Sequence, residues 1–153
     1  MYICFLINYL KFKNMKEVKK TKIDLSLAVS EVRDFVTHHN EMDFGKLDED
    51  DAVIEKYPNI VSALQAGLLV IDEKKNPIYT LRDSIDGVDN IVFKTRVKPM
   101  EASAISKGLE ISKNQYEYIL RCVAHLAQQP KGVINNLSKY DFKVIEQICT
   151  LFL

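Results

Sequence analysis

The spacing of apolar residues changes twice along this chain, and this change restricts the folds open to it. Residues 23–67 and 99–153 place apolar side chains three and four positions apart, which is typical of amphipathic helices. Residues 68–97 instead alternate or form short β-branched runs, which is typical of strands. The pattern predicts an α+β, mainly helical domain with N-terminal helices, a small antiparallel β-meander and a C-terminal helical hairpin.

The N-terminal segment, residues 23–67, predicts a helical arm of three helices. They cover residues 23–39, about 48–56 and 58–66. Asp24 or Ser26 is available as the N-cap of the first helix. Gly67 can end the third helix in the left-handed conformation.

The middle segment predicts two or three antiparallel strands. Leu68–Asp72 and Pro77–Leu81 flank a polar run, which is typical of a hairpin. A second turn at Asp86-Gly87 leads to a β-branched strand over Ile91–Val97. Because so small a sheet is not stable alone, helices are expected to cover one of its faces.

The C-terminal segment, residues 99–153, predicts helices again. Pro99 can start a short helix that ends at Gly108. Ser112 with Gln115 predicts a capping box that opens a long helix to about Gln129. The apolar face of that helix is Tyr116, Ile119, Leu120, Val123, Leu126 and Ala127. Ser138 with Asp141 predicts a second capping arrangement, at the start of the last helix.

The first residues do not have the order of a secretory signal. Met1–Leu10 is almost wholly apolar and precedes the lysines, whereas a signal peptide places its basic residues first. A run of about ten residues is also too short to cross a bilayer. We expect translation to begin at Met15, with residues 1–22 a leader or a mis-called start and residues 23–153 one domain. A membrane-surface anchor and a buried first strand remain the alternatives.

The charge balance and the cysteines exclude several classes of protein. The chain has 21 basic and 21 acidic residues, so the general basic excess of a nucleic-acid binder is missing. Residues 91–153 carry nine Lys or Arg against five acids, a net of +4, but these charges are dispersed. Cys4, Cys122 and Cys149 form no C-x-x-C pair, which favours a reducing cytoplasm with buried thiols at the last two positions.

No cluster of residues predicts catalysis, a metal or a cofactor, and we expect the protein not to be an enzyme. The acidic run Asp48–Asp51 lacks the order of a calcium loop and is expected to be a solvated helix start. His38 and His39 are adjacent, so on a helix they point about 100° apart and are expected to end the first helix. His125 lies beside an apolar face, which is typical of a core or boundary histidine.

Five short pieces of the sequence occur in an order that resembles a known family. They are Leu81–Ile85, Asp86-Gly87, Arg96–Pro99, Leu137–Asp141 and the terminal Phe152-Leu153. This order is similar to that of the tail assembly chaperones of long-tailed bacteriophages, particularly the Mu-like type. The resemblance covers about half of the chain. Ser84 stands where the family usually has proline.

The resemblance implies a non-enzymatic role in the cytoplasm of a bacterial host. Such a chaperone would keep an aggregation-prone tape-measure protein soluble until tail tube protein surrounds it, and would form a homo-oligomer without membrane contact. Phe142, Phe152 and Leu153, at the apolar C-terminal helix, are the candidate partner-binding residues. A generic interaction adaptor and a nucleic-acid-associated regulator of a phage or prophage are the alternatives.

Overall fold

The structure is a computed structural model and describes residues 22–39 and 50–153. Its elements, in chain order, are α1 (Leu25–His39), α2 (Asp50–Lys56), α3 (Pro58–Gln65), β1 (Leu69–Ile71), β2 (Pro77–Ile85), β3 (Val88–Val92), α4 (Pro99–Ser106), α5 (Gln115–Leu126), α6 (Lys131–Asn135) and α7 (Lys139–Thr150). The order confirms an α+β, mainly helical fold. The predictions for residues 1–21, the Met15 start, Cys4, Asp48 and Glu49 fall outside the described residues.

Two of the capping residues predicted for the N-terminal helices act as caps, although the bounds of α1 and α3 differ from the predicted ones by one or two residues. The Asp24 carboxylate accepts the Leu27 N–H at 2.8 Å, so Asp24 caps α1. Gly67, at φ +70°, follows α3, and the N–H groups of Gly67 and Leu68 donate to carbonyls of the last turn. This is the Schellman arrangement, which satisfies helix carbonyls that otherwise lack partners.

The three strands form one antiparallel sheet in the order β1-β2-β3. In the first turn the Asp72 carboxylate accepts the backbone N–H groups of Lys74 and Asn76, which holds the polar loop closed. In the second turn Asp86 and Gly87 have φ +50° and +80°, the signs that a two-residue hairpin requires. Both predicted hairpins are confirmed.

The predicted bounds of the last two strands were wrong. Strand β2 continues past Leu81 to Ile85, and β3 is Val88–Val92 instead of Ile91–Val97. Beyond β3 the backbone turns to the end of α5, because the Lys94 N–H donates to the Leu126 carbonyl at 2.7 Å. The end of α5 therefore takes the place of a neighbouring strand as the hydrogen-bond partner of Lys94. No local sequence signal reveals this contact.

The predicted capping box at Ser112 and Gln115 was also wrong. Helix α5 begins at Gln115, its N-cap is Asn114, and no side chain caps it. Residues 111–113 form a turn, in which the Glu110 carbonyl accepts the N–H groups of Lys113 and Asn114. In contrast, Ser138 caps α7 as predicted, since its hydroxyl accepts the Asp141 N–H at 3.1 Å.

One contiguous apolar core joins all three segments of the chain. Helix α3 packs on α1, β1 and α7, and α7 in turn packs on β2. The largest fully buried side chains come from both helices and sheet, and include Tyr79, Phe35, Ile60, Leu64, Ile145 and Ile148. Cys122 and Cys149 are buried as predicted, and burial raises the pKa of both thiols.

A buried carboxylate connects the sheet to α7. Asp141 is the one charged side chain buried among the described residues, at 1% exposure. The Tyr79 hydroxyl donates to Asp141 Oδ1 at 2.6 Å and the Ser138 hydroxyl donates to Oδ2 at 2.7 Å. Burial, and then the bond to this carboxylate, raise the pKa of Tyr79. Both oxygens of the buried carboxylate therefore have hydrogen-bond partners.

We predict that Tyr79→Phe lowers the free energy of unfolding by about 1–3 kcal/mol, because it leaves a buried carboxylate oxygen without its shortest donor. The measurement is urea unfolding. Tyr116→Phe removes the same hydroxyl from a side chain that is 69% exposed, and is expected to change stability by less than about 0.5 kcal/mol. Equal effects of the two substitutions would contradict this role of Asp141.

Candidate functional site

The apolar stripe of helix α5 is only partly covered by the rest of the protein. Leu120, Val123 and Leu126 are buried, with exposures of 4%, 1% and 0%. Tyr116 and Ile119, on the same predicted face, are 69% and 36% exposed. Because residues three and four apart share one side of a helix, the buried stripe continues into solvent at the N-terminal end of α5.

The turn before α5 adds a third exposed apolar side chain. Ile111 is 43% exposed and lies in the turn that leads directly into the helix. The turn is closed by the Glu110 carbonyl, which also accepts the Asn114 side-chain amide at 3.2 Å. Ile111, Tyr116 and Ile119 are named the α5 surface below. The three side chains lie within residues 111–119, and exposed apolar patches are typical of protein-binding surfaces.

Charged side chains hold the rest of α5 in place. The Glu117 carboxylate accepts Lys131 Nζ at 2.6 Å and Arg121 Nε at 3.2 Å, which ties α5 to the start of α6. The hydrogen bond from Lys131, and then that from Arg121, lower the pKa of Glu117. Arg121 Nη1 also donates to the carbonyls of Ile105 and Lys107 at 3.2 and 3.0 Å. The helix is therefore fixed to its neighbours on both sides.

The three partner-binding residues predicted from the sequence lie in different environments. Phe142 is half-buried and packs against the core. Phe152 is 7% exposed, and its ring meets those of Phe35 and His39 edge-on, with centroids 6.0 and 4.9 Å apart. Leu153 is 64% exposed. Of the three, only Leu153 presents most of its side chain to solvent.

The end of α1 contains a partly buried histidine. His39 Nε2 lies 2.6 Å from the Lys75 carbonyl, so it donates a hydrogen bond to the β1–β2 turn. Its ring also meets the ring of Phe35 edge-on, with centroids 4.8 Å apart. Burial is the largest effect and lowers the pKa of His39 below 6.5, although the bond to Lys75 opposes it. His38 and His39 end α1 as predicted.

We predict that stability falls as the pH is lowered through 6.5, the ordinary pKa of histidine. The unfolded chain binds a proton at His39 more tightly than the folded chain, so acid favours unfolding in this window. Urea unfolding between about pH 8 and about pH 5.5 measures the slope. His39→Gln is expected to flatten it, whereas His38→Gln, at an exposed position, retains it. A slope unchanged in His39→Gln would contradict the prediction.

An open groove of about 470 Å³ lies where α7 meets the α2–α3 junction. Gln147 forms part of its wall, and Gln147 Oε1 accepts the N–H groups of Asn59 and Ile60 at 3.0 Å each. This side chain therefore caps α3 from a distant part of the sequence. Lys56 and Lys143 also line the groove. The residues just before α3 supply no side-chain cap, so the polar side chain that caps this helix is one that lines the groove.

Residues 22–39 and 50–153 contain neither a candidate metal site nor a candidate membrane-spanning helix. No group of three or more His, Cys, Asp or Glu side chains there is placed to hold a metal ion. No helix in these ranges is long and apolar enough to cross a membrane. His125 occupies a boundary position, with its side chain 29% exposed and Nε2 3.7 Å from a Glu101 oxygen.

The α5 surface was not among the predicted sites, although Tyr116 and Ile119 belong to the apolar face predicted for this helix; Ile111 lies outside that face. The sequence shows the stripe but not where the core ends along it, because that depends on the packing of α6 and α7 against α5. No family model, curated protein or solved structure matches this chain. The α5 surface is therefore interpreted from its own side chains.

Proposed function

We propose that this protein is a non-enzymatic tail assembly chaperone, which binds an apolar helical segment of a tape-measure-like tail protein through the α5 surface. The observation that supports the proposal is the continuation of the buried α5 stripe into solvent at Tyr116 and Ile119. When a partner covers Tyr116 and Ile119, their apolar area is removed from water, and this favours association.

The shape of the α5 surface favours a helical partner. Tyr116 and Ile119 are three residues apart, so they form a ridge on one side of a helix. Ridges of this kind pack into the grooves between side chains of a second helix. Tyrosine is also enriched among the residues that dominate protein interfaces, because a large apolar ring is combined with a polar tip.

The choice of partner rests on the family resemblance. The pieces from Leu81 to Pro99 and from Leu137 to Leu153 resemble tail assembly chaperones, whose partner is a long apolar helical chain. The resemblance also favours the cytoplasm of a bacterial host and a homo-oligomer. A generic interaction adaptor would use the same α5 surface with another protein. The identity of the partner and the site at which it binds therefore need separate tests.

We predict that co-expression increases the soluble fraction of the tape-measure-like protein encoded in the same genome. Ile119→Asp is expected to reduce its co-purification by about tenfold or more, because a charge replaces a central apolar contact. The amount of partner that is captured with this protein, on beads and by quantitative gel analysis, provides the measurement.

The matched control is Leu27→Asp, which places the same charge at a side chain that is 48% exposed on α1. It is expected to leave co-purification unchanged, and thermal unfolding of both variants checks that they fold. A partner equally insoluble with and without this protein would contradict the chaperone role. Capture of the partner that Ile119→Asp does not reduce would instead contradict the α5 surface as its site.

A further inference from the structure

Helix α4 is held differently from the other helices of the described chain. It is the only one of the seven that contributes no buried residue. Met100 is 82% exposed. The more covered residues of α4, such as Ala102 and Ile105, are only half-buried. A helix of eight residues is not stable by itself in water, so α4 depends on its contacts with neighbouring elements.

The first of these contacts is at the N-terminal end of α4. Glu101 forms an ion pair with Lys94, in the segment after β3, and accepts the Lys98 N–H at 2.8 Å. The hydrogen bond from Lys94, followed by that from Lys98, lowers the pKa of Glu101 to about 2. Glu101 is therefore negatively charged at neutral pH. His125 Nε2, on α5, lies 3.7 Å from a carboxylate oxygen of Glu101.

The second contact is at the C-terminal end of α4. Arg121, on α5, donates to the carbonyls of Ile105 and Lys107, which belong to the turn where α4 ends. Carbonyls in the last turn of a helix have no partner within the helix, so a guanidinium group is a suitable donor. Arg121 is itself oriented by Glu117.

We propose that α4 is a strap that detaches as a unit from α5 and from the segment after β3 while the core stays folded, and that the Glu101–Lys94 ion pair and the hydrogen bonds from Arg121 are its two attachments. Glu101 and Arg121 are charged and partly exposed, with side-chain exposures of 26% and 36%. Salt weakens interactions of this kind, whereas it leaves buried apolar contacts intact. Regions held by few buried contacts open at lower free energy than the core.

Detachment of α4 has a consequence for the α5 surface, and this consequence alone rests on the proposed function. Residues 107–114 connect α4 to α5 and carry Ile111. The Arg121 bond to the Lys107 carbonyl fixes the start of that connection. The bond to Lys107 holds the connection at its start and the turn at Glu110 holds it at its end, so detachment of α4 removes one of the two restraints on the segment that carries Ile111. The strap therefore regulates how much of the α5 surface is assembled.

The experiment is amide hydrogen exchange of the full chain, which requires no partner. Peptides that cover α4 are expected to exchange at least about tenfold faster than those that cover α7, and about 1 M salt is expected to accelerate α4 alone. Glu101→Gln and Arg121→Gln are each expected to accelerate exchange in α4 by about two- to fivefold, with α7 unchanged.

The matched control is Glu110→Gln, which removes an exposed pair with Lys113 at 2.9 Å outside α4. It is expected to leave α4 exchange unchanged. Equal rates for α4 and α7 in the unaltered protein would overturn the proposal, since α4 would then open only when the whole chain unfolds. Equal effects of Glu101→Gln and Glu110→Gln, or acceleration of α7 together with α4, would overturn it as well.

Discussion

The hydrogen bond between Tyr79 and Asp141 is the contact on which the arrangement of sheet and helices depends. A buried carboxylate is costly unless its oxygens are satisfied, and here one oxygen is bound from β2 and the other from the cap of α7 itself. Asp141 therefore takes part in the cap of α7 and also attaches α7 to the sheet. Since α7 also packs on α3 and α5, this site contributes to the position of these helices relative to the sheet, together with the direct packing of α3 on β1.

The parts of the fold that could be predicted are those with local signals. Asp24 and Ser138 cap helices, Gly67 ends one, and Asp86-Gly87 turns a hairpin, because each needs only a few neighbouring residues to act. Two other features depend on distant residues. Strand β3 ends early because the chain bonds to the end of α5, and α3 is capped by Gln147, 88 residues after Asn59. Nothing in a short window of sequence records either contact.

The candidate site illustrates the same limit. The sequence predicted partner binding at the C-terminal helix, since Phe152 and Leu153 end an apolar pattern. The structure instead uses Phe152 to close the core against Phe35, and only Leu153 is mostly exposed. The exposed apolar residues of α5 were predicted only as part of its apolar face, because periodicity locates the side of a helix but not the end at which its neighbours stop covering it.

Helix α5 is held by two kinds of contact, apolar burial and charged hydrogen bonds. Their difference explains why apolar side chains stay exposed at its N-terminal end. Its C-terminal half is held by apolar burial at Val123 and Leu126, while its flanks are held by the charged groups of Glu117 and Arg121. Leu120, Val123 and Leu126 anchor the helix in the core by apolar burial, whereas Tyr116 and Ile119 are 69% and 36% exposed. Charged attachments at the flanks cost little to rearrange in water. Under the proposed function, a partner helix would pack on this exposed end of α5 while the buried contacts of Val123 and Leu126 stay in place.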